Sequence, residues 1–415
     1  MPPLSGLRVI DHGHVWAGPL LGMFLADLGA EVIKVGAPHR RSGVSIGGAQ
    51  APVGSIGGDR GSTSADDPRA FHGLDRGKKS ISIHLGDPRG KALYLRLVEQ
   101  SDVVLENFSP RVMPSLGLSY DVLSEVNPRI VMVALSASGA TEGPWRNLVT
   151  YGPSLAALYG LKSLLGYPDD PQPREDTADL DPTAAGHAFV ALLAALEYRE
   201  RTGRGQFIDL AQGEATLQRA AAPMMDWLLN GRDSKPRGNR GSSMAPHGVY
   251  PAANDDAWLA VVVRTDAEWS ALCELSLHLD RTEWRTMRGR LADQDALDDA
   301  VSAWTRNHDA MELSIELQGR GVPAFPLMDP TSLLIDEDYA ALSYAGLDLR
   351  ADVAAPLRDG ALYTGAPWKL SRTPAAIAGP VPNRGEHVDE IYGDLLGLDE
   401  AARVELREAE QVAVD

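Results

Sequence analysis

The sequence has little cysteine, no excess of basic residues and no long apolar run, and each shortage excludes a class of protein. Cys273 is the only cysteine in 415 residues, which excludes a disulfide framework and any zinc site built from paired cysteines. Asp and Glu outnumber Lys and Arg by 57 to 39, a formal charge of −18, which argues against nucleic-acid binding. Apolar runs such as residues 188–196 fall far short of the roughly 18 residues that a membrane span needs.

The start of the chain lacks the basic residues and apolar core of a secretory signal peptide. Together with the single cysteine, this favours a reducing compartment, and we expect a cytoplasmic protein. The chain is long enough to bury a large core without disulfides or a structural metal.

What the first half does contain is an alternation of short β-rich runs with helical periodicity. Residues 7–11, 31–35 and 102–107 are typical of strands, and helical stretches lie between such runs. This alternation predicts βαβ units and the α/β class with a mostly parallel sheet. Beyond Asn230, a hairpin with its turn at residues 254–256 begins a smaller α+β unit.

A helix is predicted over residues 181–201, with Asp181 at the N-cap and Pro182 at the first helical position. Its predicted apolar face comprises Phe189, Leu192, Leu193 and Leu196. An aspartate at an N-cap is usually structural. The helix N–H groups nevertheless favour an ionised carboxylate, and an ionised carboxylate is what a nucleophile needs.

Several familiar motifs are incomplete. The turn after the first strand, HGHVWAGP, lacks the G-x-G-x-x-G spacing of nicotinamide-cofactor enzymes, and residues 43–47 match a hydrolase nucleophile elbow only within a glycine-rich loop. His12 and His14 have no third ligand at a useful spacing, so no metal is expected. Cys273 lies on an apolar helical stripe, which indicates a core residue.

A basic cluster stands out against the acidic total. Residues 71–100 carry six Lys or Arg against three Asp or Glu, a local charge of +3, and Arg40, Arg41 and Arg111 lie in flanking loops. The cluster is either a solvated surface or a site for a polyanionic small ligand.

With these features in place, the sequence resembles the class III CoA-transferase family, which includes formyl-CoA transferase, carnitine CoA-transferases and the α-methylacyl-CoA racemases. The stretches that carry the resemblance are PLSGLRVIDHGHVWAGPLLGMFLADLGAEVIKV, GLDRGKKSISIHL, DVVLENFSP, LDPTAAGHAFVALLAALEYRERTGRGQFIDLAQ, GNRGSSMAPHGVYP and LSRTPAAIAGPVPNRGEH. It implies a Rossmann-like large domain (residues 1–225 and 350–415), a small α+β domain (226–349) and an interlocked homodimer.

The resemblance also implies site residues. Asp181 falls where the transferases carry a nucleophilic aspartate, and the Gly238–Gly241 stretch takes the place of a glycine-rich loop over the site. The implied contacts with coenzyme A come from Val15, Trp16, Ala17, Leu74, Lys78 and Asn107, with Arg40 and Arg111 as candidates for its charged end. Tyr151 is a candidate for the acyl pocket.

The implied activity is transfer of CoA from an acyl-CoA donor to a small free carboxylic acid, through an aspartyl anhydride and an aspartyl-CoA thioester. A racemase is one alternative, but it needs a histidine that residues 147–160 lack, and His187 lies outside the pattern. A catalytically inert CoA-binding paralogue is the other alternative. Neither nucleic acid nor a membrane is expected as a partner.

Overall fold

The computed structural model describes residues 1–38, 73–170, 180–329 and 365–409, together with Ser332. Contacts between residues divide the chain into two compact units. The first unit comprises Met1–Gly160, Asp176–Ala222 and Asp336–Asp415, and the second comprises Leu161–Glu175 and Pro223–Ile335. The first unit therefore draws on both ends of the chain.

A six-stranded sheet forms the centre of the first unit. Its strands are β1 (Arg8–Asp11), β2 (Glu31–Gly36), β3 (Lys79–Ser82), β4 (Val103–Glu106), β5 (Val131–Ser136) and β6 (Phe207–Ala211). They pair in the order β3-β2-β1-β4-β5-β6, and every pair is parallel. The α/β class with a parallel central sheet is thus confirmed. The strand order reverses between β1 and β4, the position at which doubly wound folds bind ligands at the carboxyl ends of the strands.

The helices of this part of the chain are α1 (Ala17–Asp27), α2 (Pro88–Glu99), α3 (Val112–Ser115), α4 (Tyr120–Val126), α5 (Gly152–Leu158), α6 (Leu180–Thr202), α7 (Gln212–Thr216) and α8 (Ala221–Asn230). Those from α1 to α6 lie between the strands in sequence, whereas α7 and α8 follow β6, and most of α8 belongs to the second unit. Alternate strand residues point to opposite faces, so that Val9 packs beside α1 and α6 while Ile10 packs beside α2. Both faces are covered, which explains the apolar residues in the middle of the central strands, although Asp11 and Glu106 end β1 and β4.

The long helix α6 differs from its prediction in two ways. It begins at Leu180, so Asp181 lies in the first turn and not at the N-cap. Alanines supply half of its buried face, which comprises Leu180, Ala184, Ala185, Ala188, Leu192, Ala195, Leu196 and Arg199. Leu193, predicted to face the core, is 37% exposed. Leu192 and Leu196 are buried as predicted, but the prediction counted only large apolar side chains and so missed the alanines of the buried face.

The described residues of the second unit form a three-stranded antiparallel sheet, ordered β7-β8-β9, together with helices. These elements are β7 (His247–Pro251), β8 (Trp258–Val262), α9 (Asp266–Cys273), α10 (Met287–Ala292), α11 (Gln294–Thr305), α12 (Ala310–Gly319) and β9 (Ala324–Pro326). The predicted hairpin is therefore confirmed. Cys273 packs in this unit's core, and burial raises the pKa of its thiol to about 11. Its placement confirms the expectation of a core residue.

The C-terminal segment returns to the first unit and covers its edge strand. The Gly77 N–H donates to the Pro380 carbonyl at 3.0 Å, and the His387 N–H donates to the Ser80 carbonyl at 3.0 Å. A short π-helix (Glu390–Leu395) and α13 (Glu400–Glu408) follow. Covering the edge in this way removes an unpaired row of backbone groups. Across the ranges given above, none of the helices has the length and apolar character that crossing a membrane would require.

Candidate active site

The loop after β1 is packed tightly against the start of α1. A Cβ atom on Gly13 would lie 2.5 Å from the carbonyl carbon of Gly18, so any other residue here requires the backbone to shift. Val15 has a φ of 64°, a left-handed conformation that is rare for a β-branched residue. The compact loop leads directly to Ala17, the first residue of α1, whose backbone N–H has no partner inside its own helix.

Asn107 holds this loop from the end of the neighbouring strand β4. Its side-chain Oδ1 accepts a hydrogen bond from the His14 N–H at 2.7 Å, and its Nδ2 donates to the His14 carbonyl at 2.8 Å. Both ends of the amide are thus bound to one backbone unit. The structure brings Asn107 beside Val15 and Ala17 at the reversal point of the sheet, while its own contact with coenzyme A stays a prediction.

Asp181 meets the same loop from the first turn of α6. The Ala17 N–H donates to Asp181 Oδ1 at 3.2 Å, which places the carboxylate at the N-terminus of α1 as well as at that of its own helix. Burial raises the pKa of Asp181, although the Ala17 N–H and the backbone N–H of Asp181 itself oppose that shift. The result is a desolvated carboxylate that is supported by backbone donors.

This environment suits nucleophilic attack by a carboxylate. Two helix N-termini favour its negative charge, and among the described residues no lysine or arginine lies within ion-pair distance of it. An anion that is neither paired nor fully hydrated keeps its electron pairs available for an electrophile. Backbone N–H groups at a helix N-terminus can also stabilise an oxyanion that develops nearby.

Lys78 occupies a buried position next to α1. Its ammonium donates to Asp11 Oδ2 at 2.6 Å, to Asp75 Oδ1 at 2.7 Å and to the Pro19 carbonyl at 2.9 Å. All three donors are therefore used inside the unit, and these partners raise the Lys78 pKa despite its burial. The geometry gives Lys78 an anchoring role that sequence reasoning missed, and its contact with coenzyme A stays a prediction.

Its neighbours in the basic cluster are also engaged within the unit. Arg76 pairs with Asp27 at 2.8 Å, and Lys79 pairs with Glu31 at 2.5 Å. The first alternative, a solvated surface, is wrong for Arg76, because that side chain is almost completely buried. The second alternative, a site for a polyanionic ligand, stays a prediction. Charge counting along a sequence cannot show these partners, since Asp27 and Glu31 come from outside the cluster.

The remaining predicted residues are dispersed. Trp16 and Leu74 are half-buried and pack against the core beside α1. Arg111 is exposed immediately before α3, and Tyr151 is 50% exposed immediately before α5. Arg40 lies outside the described residues.

The GNRG stretch belongs to the second unit, where several contacts fix it. Gly238 has a φ of 61°, and its N–H donates to the Gly166 carbonyl at 2.8 Å. Arg240 pairs with Asp298 at 2.8 Å and with Asp295 at 2.7 Å. The loop is held by its arginine, a feature that a count of glycines did not reveal. Its role over an active site stays a prediction.

Three titratable side chains complete this edge of the first unit. Glu106 is buried at the end of β4, where it accepts from the Phe108 N–H at 2.6 Å, and burial raises its pKa to about 7. His12 contacts the Tyr94 hydroxyl at 2.9 Å, and burial lowers its pKa to about 3. The Nδ1 of His187 donates a hydrogen bond to the Thr183 carbonyl at 3.1 Å. Within the described ranges, no three His, Cys, Asp or Glu side chains converge as metal ligands.

Comparison with known proteins gives a consistent result. The family model described as CoA-transferase family III matches residues 4–388. The chain is 34% identical to succinyl-CoA–D-citramalate CoA-transferase of Chloroflexus aurantiacus, over 96% of this chain and 95% of that protein. It is 31% identical to succinate–glutarate CoA-transferase of Agrobacterium fabrum, over 97% and 98%. A solved CAIB/BAIF family protein from Brucella suis is similar in structure, with a TM-score of 0.81 and 27% identity over 95% and 99% of the two chains.

Proposed function

The chain belongs to CoA-transferase family III, and from that premise we propose that it moves CoA from an acyl-CoA donor to a free carboxylic acid with Asp181 as the covalent nucleophile. One observation carries the assignment of the nucleophile. The Asp181 carboxylate lies at the N-terminus of α1, 3.2 Å from the Ala17 nitrogen, at the reversal point of the sheet. Class III CoA-transferase activity itself follows from the family.

Asp181 first attacks the carbonyl carbon of the donor thioester. The new C–O bond gives a mixed anhydride, and the C–S bond breaks to release CoA thiolate. The thiolate then attacks the side-chain carbonyl of Asp181, which releases the donor as a free carboxylate and leaves an aspartyl-CoA thioester. Dividing the exchange in this way avoids a direct reaction between two weakly reactive partners.

The acceptor enters in the second half. One of its carboxylate oxygens attacks the aspartyl-CoA thioester, the C–S bond breaks, and a second anhydride forms. The returning thiolate attacks the acceptor's carbonyl carbon, which releases the new acyl-CoA and regenerates the Asp181 carboxylate. The Ala17 N–H is placed to stabilise negative charge that develops beside Asp181 in these steps.

His187 supports a transferase over a racemase. Its Nδ1 donates to the Thr183 carbonyl at 3.1 Å, and its Nε2 accepts from the Gln218 side-chain nitrogen at 3.0 Å. A racemase needs a second group that can exchange a proton with the α-carbon. In this geometry neither nitrogen of His187 has a free position for that task.

The names of the relatives favour a short dicarboxylic acid as substrate. Citramalate, succinate and glutarate, which appear in the names of the two curated proteins, are all dicarboxylic acids. We therefore propose a short dicarboxylic acid for this chain, either as the free acceptor or as the acyl group of the donor.

A homodimer fits the apolar residues that the single chain leaves exposed. Val190 on α6 is 67% exposed, and Leu228 and Leu229 on α8 are each 72% exposed. Each unit thus exposes large apolar side chains, which are typical of protein interfaces. We propose that a second copy covers them, and we place the enzyme in the cytoplasm because its reaction consumes acyl-CoA.

The test is exchange activity in Asp181→Asn, with Asp121→Asn as the matched control. Asp121 is also an aspartate in the first turn of a helix, but it is exposed. Loss of a covalent nucleophile lowers kcat by at least about 10⁴-fold, while CoA binding survives. Turnover in Asp181→Asn close to that of Asp121→Asn would overturn the proposal.

A further inference from the structure

The C-terminal segment brings Arg384 to the carboxyl end of β2. Its guanidinium NH2 group donates to the Ala37 carbonyl at 2.9 Å and also to the Pro38 carbonyl. Both carbonyls follow directly on β2. The next residue, Gly385, donates its N–H to Ser80 Oγ at 3.1 Å, so the segment is fixed to β3 while Arg384 reaches across to β2.

No described carboxylate neutralises the positive charge of Arg384. Within the described part of the chain, it has no carboxylate within ion-pair distance, and its Nε is buried without a hydrogen-bond partner. Its two bonds go to neutral carbonyls, whereas Lys78 at the same edge pairs with two carboxylates. The side chain is only half-buried, so part of the guanidinium remains open to a ligand.

The position of Arg384 in the fold indicates which ligand group would meet it. In sheets of this strand order, residues at the end of the second strand contact the ribose of a bound nucleotide, and an arginine there accommodates a phosphate on that ribose. The adjacent strand β1 leads through its loop to Ala17 and Asp181. A ligand that spans these two strand ends has its reactive group at Asp181 and its nucleotide at β2.

Coenzyme A carries a phosphate on the 3′ position of its ribose. We infer that Arg384 binds this ribose 3′-phosphate, an inference that rests on the proposed function and adds a residue to it. A phosphate at the guanidinium supplies an anionic partner, which Arg384 lacks among the described residues. Hydrogen bonds between a guanidinium and a phosphate are charge-assisted and among the strongest of their kind.

The test is calorimetric binding of CoA and of 3′-dephospho-CoA to the full chain, its Arg384→Gln variant and its Arg372→Gln variant. Arg372 is an exposed arginine in the same segment and serves as the control. Wild type and Arg372→Gln should bind CoA about 10- to 100-fold more tightly than the dephospho form, and Arg384→Gln should bind the two alike. Arg384→Lys, which retains the charge, should recover part of the difference.

The outcomes separate this inference from other roles of Arg384. Equal weakening of both ligands in Arg384→Gln would mean that the residue only anchors the segment, and unchanged discrimination would mean that it does not meet the phosphate. Either result overturns the inference. Because binding is measured without turnover, a wild-type protein that discriminates through Arg384 but transfers no CoA would contradict the proposed function alone.

Discussion

Two buried acidic side chains lie at the carboxyl ends of neighbouring strands, and they differ in whether a cation pairs with them. Asp11 ends β1, is fully buried, and lies 2.6 Å from the Lys78 ammonium and 3.7 Å from that of Lys34. Glu106 ends β4 and is 4% exposed, but no cation of the described residues lies within ion-pair distance of it. The hydrogen bond that supports its carboxylate comes from the Phe108 N–H.

The difference separates an anchor from a titrating group. Asp11 uses its charge to tie the Lys78 segment to the base of α1, whereas the uncompensated burial of Glu106 raises its pKa to about 7. Asp181 resembles Glu106 more than Asp11, because backbone N–H groups support it and its pKa is raised. Lys78 thus neutralises the carboxylate that anchors the loop, whereas the proposed nucleophile has no cationic partner among the residues that the structure describes.

Removing Lys78 should produce the largest effect. Lys78→Met leaves Asp11 and Asp75 buried without their main partner, and we expect a loss of about 3–5 kcal/mol in the free energy of unfolding at neutral pH. Denaturant titration measures it. Lys235→Met, which removes an exposed pair with Asp233, should change stability by at most about 0.5 kcal/mol. Similar stabilities for the two variants would contradict the anchoring role.

Glu106→Gln should alter how stability depends on pH. The folded-state pKa of Glu106 is raised from 4.5 to about 7, so the folded state holds the proton more tightly and stability falls as pH rises through that window. The cost at high pH is about 3 kcal/mol from this shift. Glutamine keeps the acceptor for Phe108 and removes the titration. Denaturant unfolding from pH 4 to 8 should show a flatter profile in the variant, and parallel profiles would refute the assignment.

Gly13→Ala should disturb the loop after β1 with a smaller loss of stability. The new Cβ meets the Gly18 backbone at 2.5 Å, and overpacking of this kind costs about 1–3 kcal/mol. In Gly186→Ala, within α6, the added Cβ meets no described atom within 4 Å beyond its own stretch of helix, and we expect a gain of about 0.5–1 kcal/mol. Thermal unfolding of both variants compares them directly. A neutral Gly13→Ala would mean that the close approach is not required.

The fall of kcat/KM at low pH should report the protonation state of Asp181. Since attack needs the ionised carboxylate and its pKa is raised, kcat/KM should fall at a pH above the ordinary aspartate value of 3.8, with a slope of one proton. In Gly13→Ala, this fall should occur at higher pH, because displacement of the Ala17 N–H removes a donor that lowers the pKa of Asp181. If kcat/KM falls only at or below pH 3.8, the ordinary aspartate pKa, then Asp181 is not desolvated in the working enzyme.

Local sequence patterns predicted many of the strands, one hairpin and the family. The strand runs, the second-unit hairpin, the family and its CoA-transferase activity are confirmed, because apolar periodicity and ordered motifs are encoded in nearby residues. The partners of Lys78 and the placement of Arg384 were not predictable, since they join segments 67 and 346 residues apart. The alanine face of α6 was missed because small side chains give weak periodicity but allow close packing.

The most direct test of the nucleophile follows an oxygen atom. In the proposed sequence, one carboxylate oxygen of the acceptor becomes the bridging atom of the second anhydride and remains on Asp181 when the new acyl-CoA leaves. After turnover with an acceptor labelled with heavy oxygen, the peptide that contains Asp181 should carry the label, and the peptide that contains Asp121 should not. Efficient transfer with an unlabelled Asp181 peptide would contradict covalent catalysis by this residue.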